Sequence, residues 1–148
     1  MYARNAANAY SNVGLQTAAM NASPHRLIAM LFDGARTAIA RARFHMEAGQ
    51  IPEKGLAISK AIDIIENGLS AALDHGASEE LAGNLDALYD YMARQLMLAN
   101  LNNDDARLTE VDKLLGDLAS AWSQVDPDRE PQAEPQTALP RDAVLIGA

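Results

Sequence analysis

Apolar residues recur along this chain at alternating intervals of three and four, and four stretches keep that rhythm long enough to be helices. The first carries Ile28, Leu31, Ala35, Ala38 and Ala42 toward Gly49. It opens at Ser23-Pro24, where Ser suits the N-cap and Pro the first helical position, since its missing N–H costs nothing there. The second opens at Pro52, carries Ile58, Ile62, Ile65, Leu69 and Ala72, and ends at Gly76. Ser78 can cap the third, whose first turn holds Glu79 and Glu80, favourable at the positive end of a helix dipole. After the break at Asn102-Asn103, Asp104-Asp105 begin the fourth, which places Leu108, Val111, Leu115, Leu118, Trp122 and Val125 on one seam. Such spacing is that of a left-handed bundle. Short connections make sequential helices antiparallel neighbours, so the expected fold is all-α: an antiparallel up-down four-helix bundle over residues 23–125.

The third helix is apolar on two sides. Leu81, Leu85, Leu88, Tyr89, Met92, Leu96 and Ala99 share the core stripe. Tyr91, with Ala87 and Leu98, forms a narrower second stripe edged by Asn84. The second helix repeats the offset with Ala57, Ile64 and Ala71. A helix serving one core needs one apolar face, so the extra stripes predict a covering partner. In antiparallel neighbours the two stripes either share one groove or flank the pair on opposite outer sides, and the pattern alone does not choose. Widening of the core is the competing reading, and it weighs most for the alanines. Tyr91 is more telling, because its ring wants cover while its hydroxyl wants water or a partner.

Residues 1–22 form an Ala- and Asn-rich arm in which Tyr10, Val13 and Leu15 could make a small apolar cluster over such a groove, a displaceable lid. Residues 126–148 hold Pro127, Pro131, Pro135 and Pro140, which forbid a continuing helix. This acidic stretch is expected to be a disordered tail, ending in the apolar run Val144-Leu145-Ile146.

Composition narrows the chemistry. The chain has no cysteine and a net charge of −8, which removes disulfides and thiolate metal sites and argues against nucleic acid as a general partner. Residues 1–48 nevertheless carry five basic groups against two acidic ones, and residues 49–125 carry thirteen acidic against five basic. Attraction between the first helix and its neighbours explains this simply; a basic face for an acidic partner is the functional alternative. No apolar stretch is long enough to insert in a membrane, and no secretory signal opens the chain, so a cytoplasmic location is expected. A carboxylate-bridged metal pair would need Glu-x-x-His on two helices, and neither is present. His25, His45 and His75 stand near helix ends and are read as solvated. Asp86 and Asp90 are read as a solvated face. No catalytic constellation and no cofactor is expected.

Several segments resemble the flagellin-specific secretion chaperones, the FliS family. They are Ala9-Tyr10, Ser23-Pro24-His25-Arg26-Leu27-Ile28, Met30-Leu31-Phe32-Asp33-Gly34, Lys60-Ala61-Ile62, the run from Asn84 to Met92, and Ala99-Asn100. The family usually has Tyr where Phe32 stands. The resemblance implies a helical bundle that binds the disordered C-terminal segment of flagellin in the cytoplasm, blocks premature polymerisation and hands the client to the flagellar export gate without ATP or metal. It also implies that the arm yields to the client, making Tyr10 a site residue, and some relatives bind the flagellar anti-sigma factor. Ile64, Tyr91 and Leu98 are then the expected apolar contacts, with Asn84 for client backbone. A structural or adaptor bundle acting as a homodimer is the alternative reading.

Overall fold

The computed structural model describes residues 2–14 and 22–125. Leu15 and the whole of 126–148 lie outside them. Among the described residues five helices follow in order: α1 (Tyr2–Asn12), α2 (Pro24–Glu47), α3 (Ile51–Asp63, continuing as a π-helix through Ile64–Ser70), α4 (Glu79–Asn102) and α5 (Asp105–Gln124). The expected starts hold. Ser23 Oγ accepts from the Arg26 N–H at 3.1 Å, Ser78 Oγ from Leu81 at 3.2 Å, and Asp104 Oδ1 from Ala106 at 3.1 Å. Each cap satisfies a backbone donor that the helix itself leaves unpaired, worth about 1 kcal/mol. Asn103 ends α4 in the left-handed region at φ 52°, a conformation Asn tolerates better than most residues.

α2 packs on α3 and α5, and α4 packs on α5 and on the π-helical part of α3, which closes the ring of four. Leu31, Ile39, Ile58, Ile65, Met92, Leu96, Leu108 and Leu115 are fully buried at its centre. Each such side chain contributes roughly 1.5–3 kcal/mol by leaving water.

Three expectations need correction. The second helix does not stay α-helical to Gly76: it widens to a π-helix at Ile64 and ends at Ser70. Its buried face is also rotated, with Ala61 and Ile64 buried and Ile62 only half-buried, because α3 is covered from two sides, by α2 with α1 and by α4. At Gly68 the side chains of Leu31 and Val13 pack onto the bare backbone: an added Cβ would stand 3.0 Å from Leu31 Cδ2 and 3.3 Å from Val13 Cγ1.

His25 is the second correction. It is not a solvated terminal residue but is buried, stacked on Trp122 at 4.7 Å between ring centroids. Its Nε2 lies 2.8 Å from the Trp122 carbonyl oxygen, while Trp122 Nε1 donates to the His25 carbonyl at 2.9 Å. The reciprocal pair ties the start of α2 to the end of α5. The third concerns Lys54, which is buried although the pattern gave it no role. Its ammonium donates to the Asn100 carbonyl at 2.9 Å and to Asn103 Oδ1, capping the C-terminal end of α4, where a cation suits the dipole.

The basic bias of the first bundle helix is partly spent inside the bundle. Arg36 pairs with Asp112 at 2.9 Å and Arg43 with Asp105 at 2.8 Å, both on α5. Gly116 makes room for the first pair, since a Cβ there would meet the Arg36 guanidinium carbon at 3.0 Å.

Candidate functional site

The arm is a helix, and it is docked. Ala6, Ala9, Tyr10 and Val13 are buried, a set spaced to share one helical face. α1 lies against α2 and the π-helical part of α3. Polar bonds fix both its ends: Asn5 Nδ2 donates to the Leu73 carbonyl at 3.5 Å, and Lys60 Nζ donates to the Val13 carbonyl. Alanines at positions 6 and 9 let the α1 backbone lie close to its support, and Tyr10 and Val13 supply most of the buried apolar bulk.

Beyond the arm the groove between α2 and α3 continues as a cleft of about 810 Å³. Met30, Ala38, Leu56, Ala57 and Ile64 give it an apolar lining beside Tyr10, and Arg26, Arg41 and Lys60 supply cations among the lining groups. Its α2 wall runs from Arg26 to His45, about 28 Å at 1.5 Å per residue. Three expected site residues, Tyr10, Ala57 and Ile64, are thus brought together here. Ile64 is not a surface contact in this state: it is 1% exposed and belongs to the core. Ala71 follows the π-helical turns, is exposed, and is not among the lining residues.

Asn84, Ala87, Tyr91 and Leu98 lie elsewhere, on the outer surface of α4. The Tyr91 hydroxyl donates to Glu110 Oε2 of α5 at 2.7 Å, so this stripe borders the α4–α5 seam. Of the two arrangements open from sequence, the structure has the second: the stripes flank the α3–α4 pair and do not share a groove. The hydrogen bond to Glu110 pushes the Tyr91 phenol above its ordinary range, because losing the proton would set two anions side by side. Tyr89 is the opposite case. It is 4% exposed, and burial foremost, then the charge of Asp86, pushes its phenol well up. Tyr91 is therefore the tyrosine available at the surface. Asp86 accepts from Ser70 Oγ and Asp90 from Arg94, both in exposed positions as expected.

Two features went unread in the sequence. Met97 (59% exposed) and Leu101 (78%) extend the apolar surface around Leu98 (37%). Their one-turn spacing, 97–98–101, was the available signal. The other is an apolar pocket of about 540 Å³ where the start of α2, the end of α3, the start of α4 and the end of α5 meet. Phe32, Leu69, Leu85, Tyr89 and Trp122 help line it. Periodicity assigned all but Phe32 to the core stripes and could not show that they ring a space.

The family model described as Flagellar protein FliS matches residues 6–129, from within the docked arm to just past α5. This chain belongs to the FliS family. It is 51% identical over 127 residues to the Flagellar secretion chaperone FliS of Salmonella typhimurium, covering 86% of this chain and 94% of that protein. It is 47% identical over 125 residues to the Flagellar secretion chaperone FliSB of Pseudomonas aeruginosa, covering 84% and 98%. The Escherichia coli Flagellar secretion chaperone FliS is 45% identical over 124 residues. The FliS match includes Tyr10, the α2–α3 groove and the outer face of α4; residues 130–148 lie outside it. Among the described residues of this FliS-family chain, no helix is long and apolar enough to cross a membrane.

Proposed function

We propose that this FliS-family protein is a cytoplasmic export chaperone for flagellin. It binds the C-terminal segment of the client, keeps it from polymerising prematurely and delivers it to the flagellar export gate. The observation that carries the reading is α1 itself. An amphipathic helix of the same chain occupies part of an apolar groove that continues past it, as a stand-in would. Helix-in-groove recognition needs apolar anchors at helical spacing, which Ala6, Ala9, Tyr10 and Val13 provide.

The mechanism is binding without catalysis. A disordered client loses conformational entropy as it folds onto the bundle, so a long interface can keep moderate, reversible affinity. Reversibility matters because cargo must be released for export. Displacement of the arm would expose Ile64 and the apolar floor near Gly68 to the client, while Tyr91 and Leu98 on α4 would take a further stretch of a chain that wraps the bundle, with Asn84 serving its backbone. The half-buried Ala57 and the exposed Ala71 and Ala87 would allow close approach. The flagellar anti-sigma factor is a second client of the same kind. Neither nucleic acid, metal nor nucleotide takes part.

Co-purification with full-length flagellin, set against flagellin lacking its C-terminal segment, tests the reading. Retention of the first and loss of the second is expected. Equal retention of both would overturn it, as would a stable homodimer with α4 buried in the dimer interface.

A further inference from the structure

α3 carries two lysines on different sides that do the same thing. Lys54 is buried and gives its charge to the Asn100 carbonyl and Asn103, at the C-terminal end of α4. Lys60 lines the α2–α3 cleft and donates to the Val13 carbonyl, one residue past the end of α1. Among the described residues neither lysine has a carboxylate within ion-pair distance, whereas Arg36, Arg43, Arg94, Arg107 and Lys113 each do.

We propose that Lys60 is the groove's receptor for the C-terminal end of a helix. It sets the direction of the client helix that replaces α1, and the point at which that helix stops. This rests on the reading of the α2–α3 groove as a client site and names a determinant within it.

The arm shows what the lysine recognises. Carbonyls in the last turn of a helix have no intrahelical donors and carry the negative end of its dipole. α1 satisfies one of them itself: Gly14 turns the chain at φ 64°, and its N–H donates to the Ser11 carbonyl at 3.0 Å. Lys60 takes the Val13 carbonyl. Toward the other end, Asn5 donates to the Leu73 carbonyl. Residue 5 thus lies by residue 73 and residue 13 by residue 60, so α1 runs antiparallel to α3. Once the arm leaves, the ammonium stands beside the cleft without its carbonyl. A helix laid antiparallel to α3 restores one. A helix laid the other way brings N–H groups and the positive end of its dipole, which repel a cation.

The chain has no cysteine, so a single introduced one takes a nitroxide label cleanly. Ser59→Cys places it at an exposed site beside Lys60, outside the cleft lining, and His75→Cys at an exposed site just past Leu73. With the isotope-labelled flagellin C-terminal segment bound, the first label should broaden the C-terminal turn of a client helix most, and the second its N-terminal turn. Binding with the reverse order overturns this proposal alone. Binding without broadening at either label overturns the groove assignment and the proposal with it, and a segment that does not bind at all overturns the functional reading itself. Lys60 is tested directly where the arm is held away by Ala9→Asp, a charge placed on its buried face. There Lys60→Met should weaken client binding roughly tenfold, through loss of a charged hydrogen bond, and Lys60→Arg should keep it. With the arm unchanged, Lys60→Met should cost less than about twofold, because arm and client lose the same contact. An equal loss in both backgrounds, or none in either, overturns the role of Lys60.

Discussion

Replacing Val13 by Ala removes two methyl groups from the arm where it lies beside Gly68 and does nothing to the four-helix ring. Val13 is 2% exposed, so nearly the full transfer free energy of those groups is at stake, about 1.6 kcal/mol at 0.8 per methylene-sized group. If the arm and the client compete for one groove, the apparent client affinity equals the intrinsic affinity multiplied by the fraction of molecules with the arm away. Weakening a mostly closed arm by that amount should tighten client binding by as much as about 15-fold. The assay is titration of the isolated flagellin C-terminal segment, followed by calorimetry or anisotropy, with a thermal melt in parallel. The melt should move little, since α1 can leave without opening the core. Amide exchange should be faster in residues 4–13 alone. Unchanged or weaker client binding with faster arm exchange would refute the competition, because the arm would then be loosened to no effect on the groove.

Substituting Tyr91→Asp together with Leu98→Asp should abolish retention of flagellin while a cooperative helical melt persists; retention, or collapse of the melt, would show that the outer α4 face is wrongly assigned. Lys54→Met should cost about 1.5–3 kcal/mol by stripping charged hydrogen bonds from the Asn100 carbonyl and Asn103, lowering the melting temperature by roughly 5–10 °C. Tyr89 sets an alkaline limit. Its folded pKa lies above the unfolded value of 10.0, so the stability it contributes is complete below that pH and is lost as pH rises through the folded pKa. Tyr89→Phe should flatten the loss of stability above pH 10.0, and in the unchanged protein part of the phenolate absorbance should appear only with unfolding.

Local rules made the helix starts legible. Ser23-Pro24, Ser78 and Asp104 act on their own first turns, and no distant contact is needed to read them. The same holds for the break at Asn103, where Asn accepts a positive φ. What failed was what depends on neighbours. Ile64 read as surface because the stripe through Ile62 assumed a single covering face, whereas α3 is enclosed by α2 with α1 on one side and α4 on the other. The π-helical turns contain the tight fit of Gly68 against Leu31 and Val13, residues 37 and 55 positions away in sequence. The arm's helix was present in the sequence as the 6–9–10–13 spacing, but two of the four are alanines, which carry little hydrophobic signal. The candidate faces were legible as an offset and not as an arrangement, because whether two stripes converge depends on the hand of the bundle. Lys54 looked like any charged residue near a helix start until α4 ended beside it.

The covalent attachment of α1 to the bundle has a consequence for how such a protein behaves as its client becomes scarce. An attached competitor has a local concentration fixed by chain geometry, the same in a dilute cell and a crowded one, while that of a free client falls with its synthesis. The balance between them is therefore set by client abundance alone. On the proposed function, plentiful flagellin would out-compete the arm, and when it ran low the arm would close over Ile64 again with no energy source and no second protein to reset it.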